Sequence, residues 1–137
     1  MISTMRLTLV PATESLLTAE LAGHAALAAA LATDVPASWP PEFYDADAIR
    51  WALDLLHSDP RHANWGFHYI VRKADGTGPA RLVGAGGFKG APDQSGAVEV
   101  GFSVVSDEQR KGYALEALEG WVAFAFSHTD VLVVVGQ

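Results

Sequence analysis

Apolar residues recur with two different periods along this chain. Met5 to Val10 alternates and halts at Pro11, which predicts a first strand, because a period of two puts every second side chain on one face of a sheet. From Glu14 to Leu31 the chain is rich in Ala and Leu, with Leu17, Leu21, Leu27 and Leu31 near helical spacing. One helix is predicted there, capped by Thr13. Residues 33–44 hold Pro36, Pro40 and Pro41 beside Trp39 and form a loop, since X-Pro pairs resist helix. Asp45 then caps a second helix whose stripe is Ile49, Ala52, Leu53 and Leu56, and Asp59-Pro60 ends it. Three strands follow, Trp65 to Lys73, Arg81 to Phe88 and Ala97 to Val105. They are joined by Asp75-Gly76-Thr77-Gly78 and by a second turn over residues 89–96. Gln109 to Ser127 predicts a third helix, with Ala114, Leu118, Trp121 and Ala125 on one face and Leu115, Val122 and Phe126 beside it. Val131 to Val135 is apolar on both faces and reads as a buried, interior parallel strand. The order β-α-α-β-β-β-α-β gives a mixed α/β (α+β) fold, a mostly antiparallel central sheet with helices on both faces, in a single domain over residues 1–137.

Composition narrows the function more than the fold. Half of the 137 residues are hydrophobic and 18% are charged, which excludes general disorder. With no cysteine, disulfides, thiolate metal sites and thiol nucleophiles are all excluded, and a reducing cytoplasm is the expected location. A net charge of −7 with nine Lys and Arg supplies no basic groove for nucleic acid and disfavours an anionic membrane. The longest apolar run, Ala25 to Ala32, is far short of the ~20 residues a bilayer needs. A small anionic ligand stays open, because one local cluster of donors holds it.

That cluster is expected where the strand ending at Val105 runs through Ser106-Asp107-Glu108 into the third helix. Its first turn is read as carrying Arg110, Lys111 and Gly112, where free N–H groups and the positive dipole end attract an anion. Gly112 lets a phosphate approach the backbone and Ala114 keeps the next turn small. Two cations at a helix N-terminus oppose the macrodipole, and a bound polyanion explains them. The spacing Gln109-x-x-Gly112-x-Ala114 between an alternating strand and an amphipathic helix resembles the acetyl-coenzyme A motif of the GNAT acyltransferase superfamily, Gln/Arg-x-x-Gly-x-Gly/Ala. Leu82-Val83-Gly84-Ala85-Gly86-Gly87-Phe88 before a turn resembles the branch that includes ribosomal-protein N-terminal acetyltransferases.

The resemblance implies a GNAT-like acyl-CoA N-acyltransferase fold and acetyl-CoA as co-substrate. The backbone amides of Arg110, Lys111, Gly112, Tyr113 and Ala114 would hold the coenzyme pyrophosphate, with Gln109 as the first position of the coenzyme-binding motif. Phe102, Ser103 and Val104 would pair with the pantetheine arm, and the thioester carbonyl would lie near the Val104 amide. The chemistry is attack of a neutral amine on a thioester. An alkyl ammonium of pKa ~10.4 must first lose a proton, which a nearby carboxylate can take. Glu99 is the candidate base. Val98, Val100, Phe102 and Val104 take one strand face, and Glu99 lies on the other with the small Gly101 and Ser103. The other reading of Glu99 is an exposed polar residue.

The five histidines, His24, His57, His62, His68 and His128, show no metal-motif spacing, so no metal is expected; His68 is the one that could face the site. Arg81 and Lys89 are read as solvated, with reach to the coenzyme's 3′-phosphate as the alternative, and Trp39, Phe43 and Tyr44 as either acceptor wall or core cover. The family continues past its fifth strand with an Asn-containing loop, a helix and two strands, and with a tyrosine that protonates the leaving thiolate; this sequence stops at Gln137. The sheet is therefore expected to be C-terminally incomplete, with copies of the chain associating through it. Two functions follow: transfer of acetyl from acetyl-CoA to a primary amine of a small molecule or peptide, or, alternatively, a non-catalytic acyl-CoA-binding module or inactive fragment. The acidic charge favours a cationic acceptor.

Overall fold

The computed structural model describes residues 1–42, 44–76 and 78–136, so Phe43, Thr77 and Gln137, including the wall role read for Phe43, lie outside the described residues. Six strands form one sheet in sequence order: β1 (Ile2–Ser3), β2 (Leu7–Pro11), β3 (Phe67–Arg72), β4 (Arg81–Phe88), β5 (Ala97–Val104) and β6 (Val133–Gly136). Neighbours are antiparallel except β5 and β6, which run parallel, as a strand reached through a crossover helix must when it pairs with the strand before that helix. Helices α1 (Glu14–Ala22), α2 (His24–Leu31) and α3 (Ala46–Ser58) precede β3, and α4 (Tyr113–Phe126) joins β5 to β6.

The sheet carries a core on each face. Leu7, Leu9, Ile70, Val83, Val98 and Val100 meet α4 through Tyr113, Ala117, Trp121 and Ala125. On the other face Tyr69, Val71, Leu82 and Ala85 meet Leu17, Leu27, Ile49 and Ala52. The two faces alternate along β3, whereas on β4 a register shift opposite Ile70 and Val71 breaks the period, so that Val83 and Ala85 face opposite sides. On α4 the buried stripe is shifted from the expected one. Ala114 and Leu118 are only half-buried, and Leu115 and Phe126 are exposed.

The single helix expected over Glu14 to Leu31 is two helices. Gly23 takes φ +136, outside the range of a right-handed helix, and its N–H closes α1 onto Ala19 and Glu20 carbonyls. In one continuous helix Leu17 and Leu27 would point about 80° apart. The break lets both bury completely. Each buried Leu contributes ~1.5–3 kcal/mol, against ~1 kcal/mol for a glycine inside a helix, so packing wins.

β6 also departs from expectation. It pairs in parallel with β5 as read, but it is buried only in part. Val131 just before it is in the core and Val134 packs against that core, whereas Leu132, Val133 and Val135 are exposed, and within the described residues β6 forms the sheet edge. No helix among the described residues is long and apolar enough to cross a membrane.

Candidate active site

The junction between β5 and α4 is built from residues that cannot continue a right-handed helix. A short 3-10 turn covers Ser106–Glu108, Gln109 is extended, Arg110 has φ +65 and Gly112 has φ +83. Two left-handed residues in three positions stop helix propagation, so α4 starts at Tyr113. Gln109, Arg110 and Lys111 therefore lie in the loop, not in the first helical turn as expected, and Gly112 is the N-cap. No side chain caps α4. Its first intrahelical bond runs from the Glu116 N–H to the Gly112 carbonyl at 3.1 Å, so the amides of Tyr113, Ala114 and Leu115 stand ahead of the ladder.

This loop is held from outside. The Gln109 side-chain amide donates to the Val104 carbonyl at 3.0 Å, tying the loop to the strand end. Lys111 pairs with the buried Glu108 at 3.3 Å. Arg6 lies against the other side. Its Nη1 donates to the Lys111 carbonyl at 2.8 Å, its Nε to Glu116 at 2.7 Å, and its guanidinium covers the Tyr113 ring at 4.7 Å. A Cβ on Gly112 would come within 3.1 Å of Arg6 Nη2. Glu116 also accepts from the Arg6 backbone N–H at 2.8 Å and from Thr4 Oγ1 at 2.5 Å. Burial opposes ionisation of Glu116, but these bonds from Thr4 and Arg6 outweigh it and hold its carboxyl below the ordinary range. Arg6 and Thr4 escaped the sequence reading because no local pattern links them to a helix more than 100 positions away. The only available signal was an acid in the first turn of α4.

β5 has two unlike halves. Ala97 to Val100 pair with Val133 to Gly136, whereas among the described residues Gly101, Phe102, Ser103 and Val104 have no partner on that edge. On their other edge Gly84 to Gly87 of β4 hold them. The approach is close, since a Cβ on Gly84 would fall 2.5 Å from the Ser103 carbonyl. Val98, Val100 and Val104 are buried as expected from their shared face. Phe102 is not: it is 39% exposed, because it lies beyond the end of the β5–β6 pairing.

Two cavities flank this strand. One of about 260 Å³ is lined by Tyr44, Trp51, Phe67, Phe102 and Ser103 with Gly86, Gly87, Gly101 and Lys89. Ser103 Oγ donates to the Glu42 carbonyl at 2.9 Å. The second, about 410 Å³, is lined by Glu99, Val98, Gly90, Asp93 and Val135, and Lys89 borders both. Glu99 thus lines a different cavity from Ser103, its neighbour on the strand face. The Lys89 N–H donates to the Glu99 carbonyl at 2.9 Å, which sets the two residues side by side.

The other sequence candidates have structural work. Trp39 is 3% exposed, and its indole N–H donates to Glu20 at 2.8 Å. Tyr44 and Tyr69 hydroxyls donate to the same carboxylate at 2.6 and 2.7 Å. Burial first, and then the Glu20 and partner-tyrosine groups, push the Tyr44 hydroxyl far above its usual range; burial and Glu20 do the same for Tyr69. Arg81 is not solvated. It pairs with Asp107 at 2.8 Å, Glu108 at 3.2 Å and Asp34 at 3.6 Å. His68 is buried on the α4 side between Trp121 and Phe88, away from both cavities, and burial pushes its pKa down to about 4. Among the described residues no group of three or more His, Asp or Glu could hold a metal.

The acetyltransferase (GNAT) domain family matches residues 6–137. The chain belongs to the GNAT acetyltransferases. It is 31% identical over 94 residues to the uncharacterized N-acetyltransferase YjdG of Bacillus subtilis (strain 168), an alignment covering 68% of this chain and 52% of that protein. The chain therefore spans about half the length of the curated relative it matches. Among solved structures it is similar to an acetyltransferase assigned to the GnaT family from Bordetella pertussis (TM-score 0.60, 20% identity, 98% of this chain and 76% of that one). It is also similar to the Microcin C7 self immunity acetyltransferase MccE, solved with acetyl-CoA and AMP (TM-score 0.51, 12% identity, 93% and 67%). These likenesses carry the GNAT fold, the mixed sheet with helices on both faces. As a family, GNAT proteins draw the acyl group from acetyl-CoA.

Proposed function

We propose that this GNAT domain binds acetyl-CoA along the free edge of β5 and the start of α4, and that the acetyl group passes directly to a primary amine. One observation carries the reading: the outer edge of Gly101 to Val104, which no described strand pairs, leads through the turn and loop of residues 106–112 to a helix whose first amides no side chain caps. The first is a template for an extended amide-bearing arm, as in strand addition. The second, with Gly112 at φ +83 carrying no side chain, suits a pyrophosphate approaching the open amides. Phe102, Ser103 and Val104 would hold the arm through their backbone, and Arg110 to Ala114 the phosphates, with the Arg110 and Lys111 side chains exposed beside them.

Bound acetyl-CoA supplies the thioester. Glu99 takes the proton from the incoming ammonium, so that the amine presents its lone pair, and the Val104 amide stabilises charge on the carbonyl oxygen. The new C–N bond replaces the C–S bond, and the thiolate takes a proton to leave as free thiol. Glu99 and Ser103 border different cavities, so the proton crosses by way of water near Lys89. That same separation favours the second reading, a domain that binds acyl-CoA without turning it over.

Free thiol released on mixing the chain with acetyl-CoA and an amine panel supports transfer. Calorimetric CoA binding without thiol release supports the binding module, and no CoA binding removes both. The exposed β6 valines support association of copies of this chain. Light scattering showing a monomer at high concentration, with no hydrophobic dye bound, would remove that expectation.

A further inference from the structure

We propose that the acceptor carries its primary amine on a flat aromatic body, and that the 260 Å³ cavity beside Ser103 holds that body. The proposal rests on the transferase reading and names its second substrate.

Three features of the lining point to this class. The first is charge. Among the described residues Glu42 is the only carboxylate and Lys89 the only cation on the wall, so the cavity is close to neutral although the chain carries −7. A polyamine or an aminoglycoside needs several carboxylates, and this wall offers one. This narrows the preference for a cationic acceptor drawn from net charge to an acceptor with a single positive charge. The second is hydrogen bonding. Ser103 Oγ already donates to the Glu42 carbonyl, and the rest of the wall is largely ring and glycine backbone. A sugar or a peptide would lose water contacts there without replacement. The third is shape. Small residues, Ala85, Gly86, Gly87 and Gly101, form a floor without bulk, and aromatic rings rise around it.

The rings are fixed in place before anything binds. Tyr44 and Phe67 stack at 5.0 Å with 9° between planes, and Tyr69 meets Phe67 edge-on at 5.6 Å. The Tyr44 hydroxyl is anchored on Glu20. Trp51 and Phe102, which complete the wall, are 51% and 39% exposed. An α3 residue as large as Trp51 gains nothing from facing water, and a ring seated against it would cover it. A cavity near 260 Å³ is at the small end for ligand sites, which suits one ring system and not a chain of residues.

The test uses the 137-residue chain with 2-phenylethylamine, its saturated analogue 2-cyclohexylethylamine, spermidine and a short peptide with a free N-terminus. Binding is read by ligand-observed NMR and transfer by thiol release with acetyl-CoA. 2-Phenylethylamine should bind about five- to tenfold tighter than the saturated analogue and lead the panel in kcat/KM. Trp51→Ala should remove that margin through KM, with Trp51→Phe restoring most of it; Trp51 is half-exposed, so both variants keep the fold. Equal binding of the two ring amines, preference for spermidine or the peptide, or unchanged 2-phenylethylamine binding in Trp51→Ala would each overturn the proposal. The NMR arm judges the cavity even if no amine is acetylated, an outcome that would instead remove the transferase reading.

Discussion

Helices α3 and α4 begin in opposite ways. At α3, Asp45 accepts from the Ala48 N–H at 3.0 Å, and Asp47 adds negative charge to the first turn. At α4 the cap is Gly112, with no side chain to give, and the first-turn acid Glu116 is turned back onto Arg6 and Thr4. The α3 start has used its donors within its own chain. The α4 start leaves its first donors without a side-chain cap, while Arg6, Gln109 and Glu116 hold its loop. Capping and ligand binding draw on the same few amides, so a helix end can serve one or the other.

The largest effect should appear on the strand that feeds α4, and it should divide turnover from binding. Glu99→Gln is expected to lower turnover ~10²–10⁴-fold with CoA affinity nearly unchanged by calorimetry. The rate should recover partly at high pH, where the amine loses its proton unaided. Wild-type turnover at neutral pH would leave Glu99 a polar strand residue and transfer the question to another base.

Acidity sharpens the comparison by setting where binding can be measured at all. His68 has its folded pKa depressed to about 4 by burial, against an ordinary value of 6.5. The unfolded chain then binds the extra proton first as pH falls, so stability is complete above pH ~6.5 and declines toward pH ~4. The loss is of the order of 3 kcal/mol across that window. The depressed Glu116 continues the decline further into acid. Urea midpoints against pH should show this slope, and His68→Gln should flatten its upper part. An unchanged slope in that variant would assign acid sensitivity to the carboxylates alone.

Changing Gly112 tests the uncapped end directly. Gly112→Val should weaken CoA binding at least ~30-fold, about 2 kcal/mol. At φ +83, and with a Cβ 3.1 Å from Arg6 Nη2, valine also strains the fold. Gly112→Asn separates the two effects, because Asn tolerates the left-handed region while still placing a side chain over the amides. A folded Asn variant with wild-type CoA affinity would remove the α4 start from the coenzyme reading.

How much of this was legible depends on how local each cause is. The strand Ala97–Val104 lay almost where alternation put it, since a period of two is written in neighbouring residues, and Arg81–Phe88 lay where its glycine-rich apolar run put it. The Gln109-x-x-Gly112-x-Ala114 spacing located the junction, but not the true start of α4, which follows from left-handed backbone at Arg110 and Gly112. The break at Gly23 depended on where Leu17 and Leu27 had to be buried, which no window of the sequence contains. The Arg6–Glu116 pair joins residues 110 positions apart, and Trp51 became a cavity wall only when β4 and β5 formed the floor opposite it. Long-range packing, not composition, decided these.

The smallest effect should come from the capped helix, and its smallness is the point. Asp45→Ala removes the bond to the Ala48 N–H and leaves a donor at the start of α3 unsatisfied. That loss typically costs ~1 kcal/mol of stability, read as a lower urea midpoint with unchanged slope. Because Tyr44 stays anchored on Glu20, the adjacent cavity wall should keep its place. CoA affinity should stay at the wild-type value, since the amides freed at α3 are not the ones proposed to face the coenzyme. A loss of CoA affinity comparable to that of Gly112→Val would mean that the two helix starts act as one unit and that the contrast between them is false. A stability loss with intact binding would confine the donors that matter to α4.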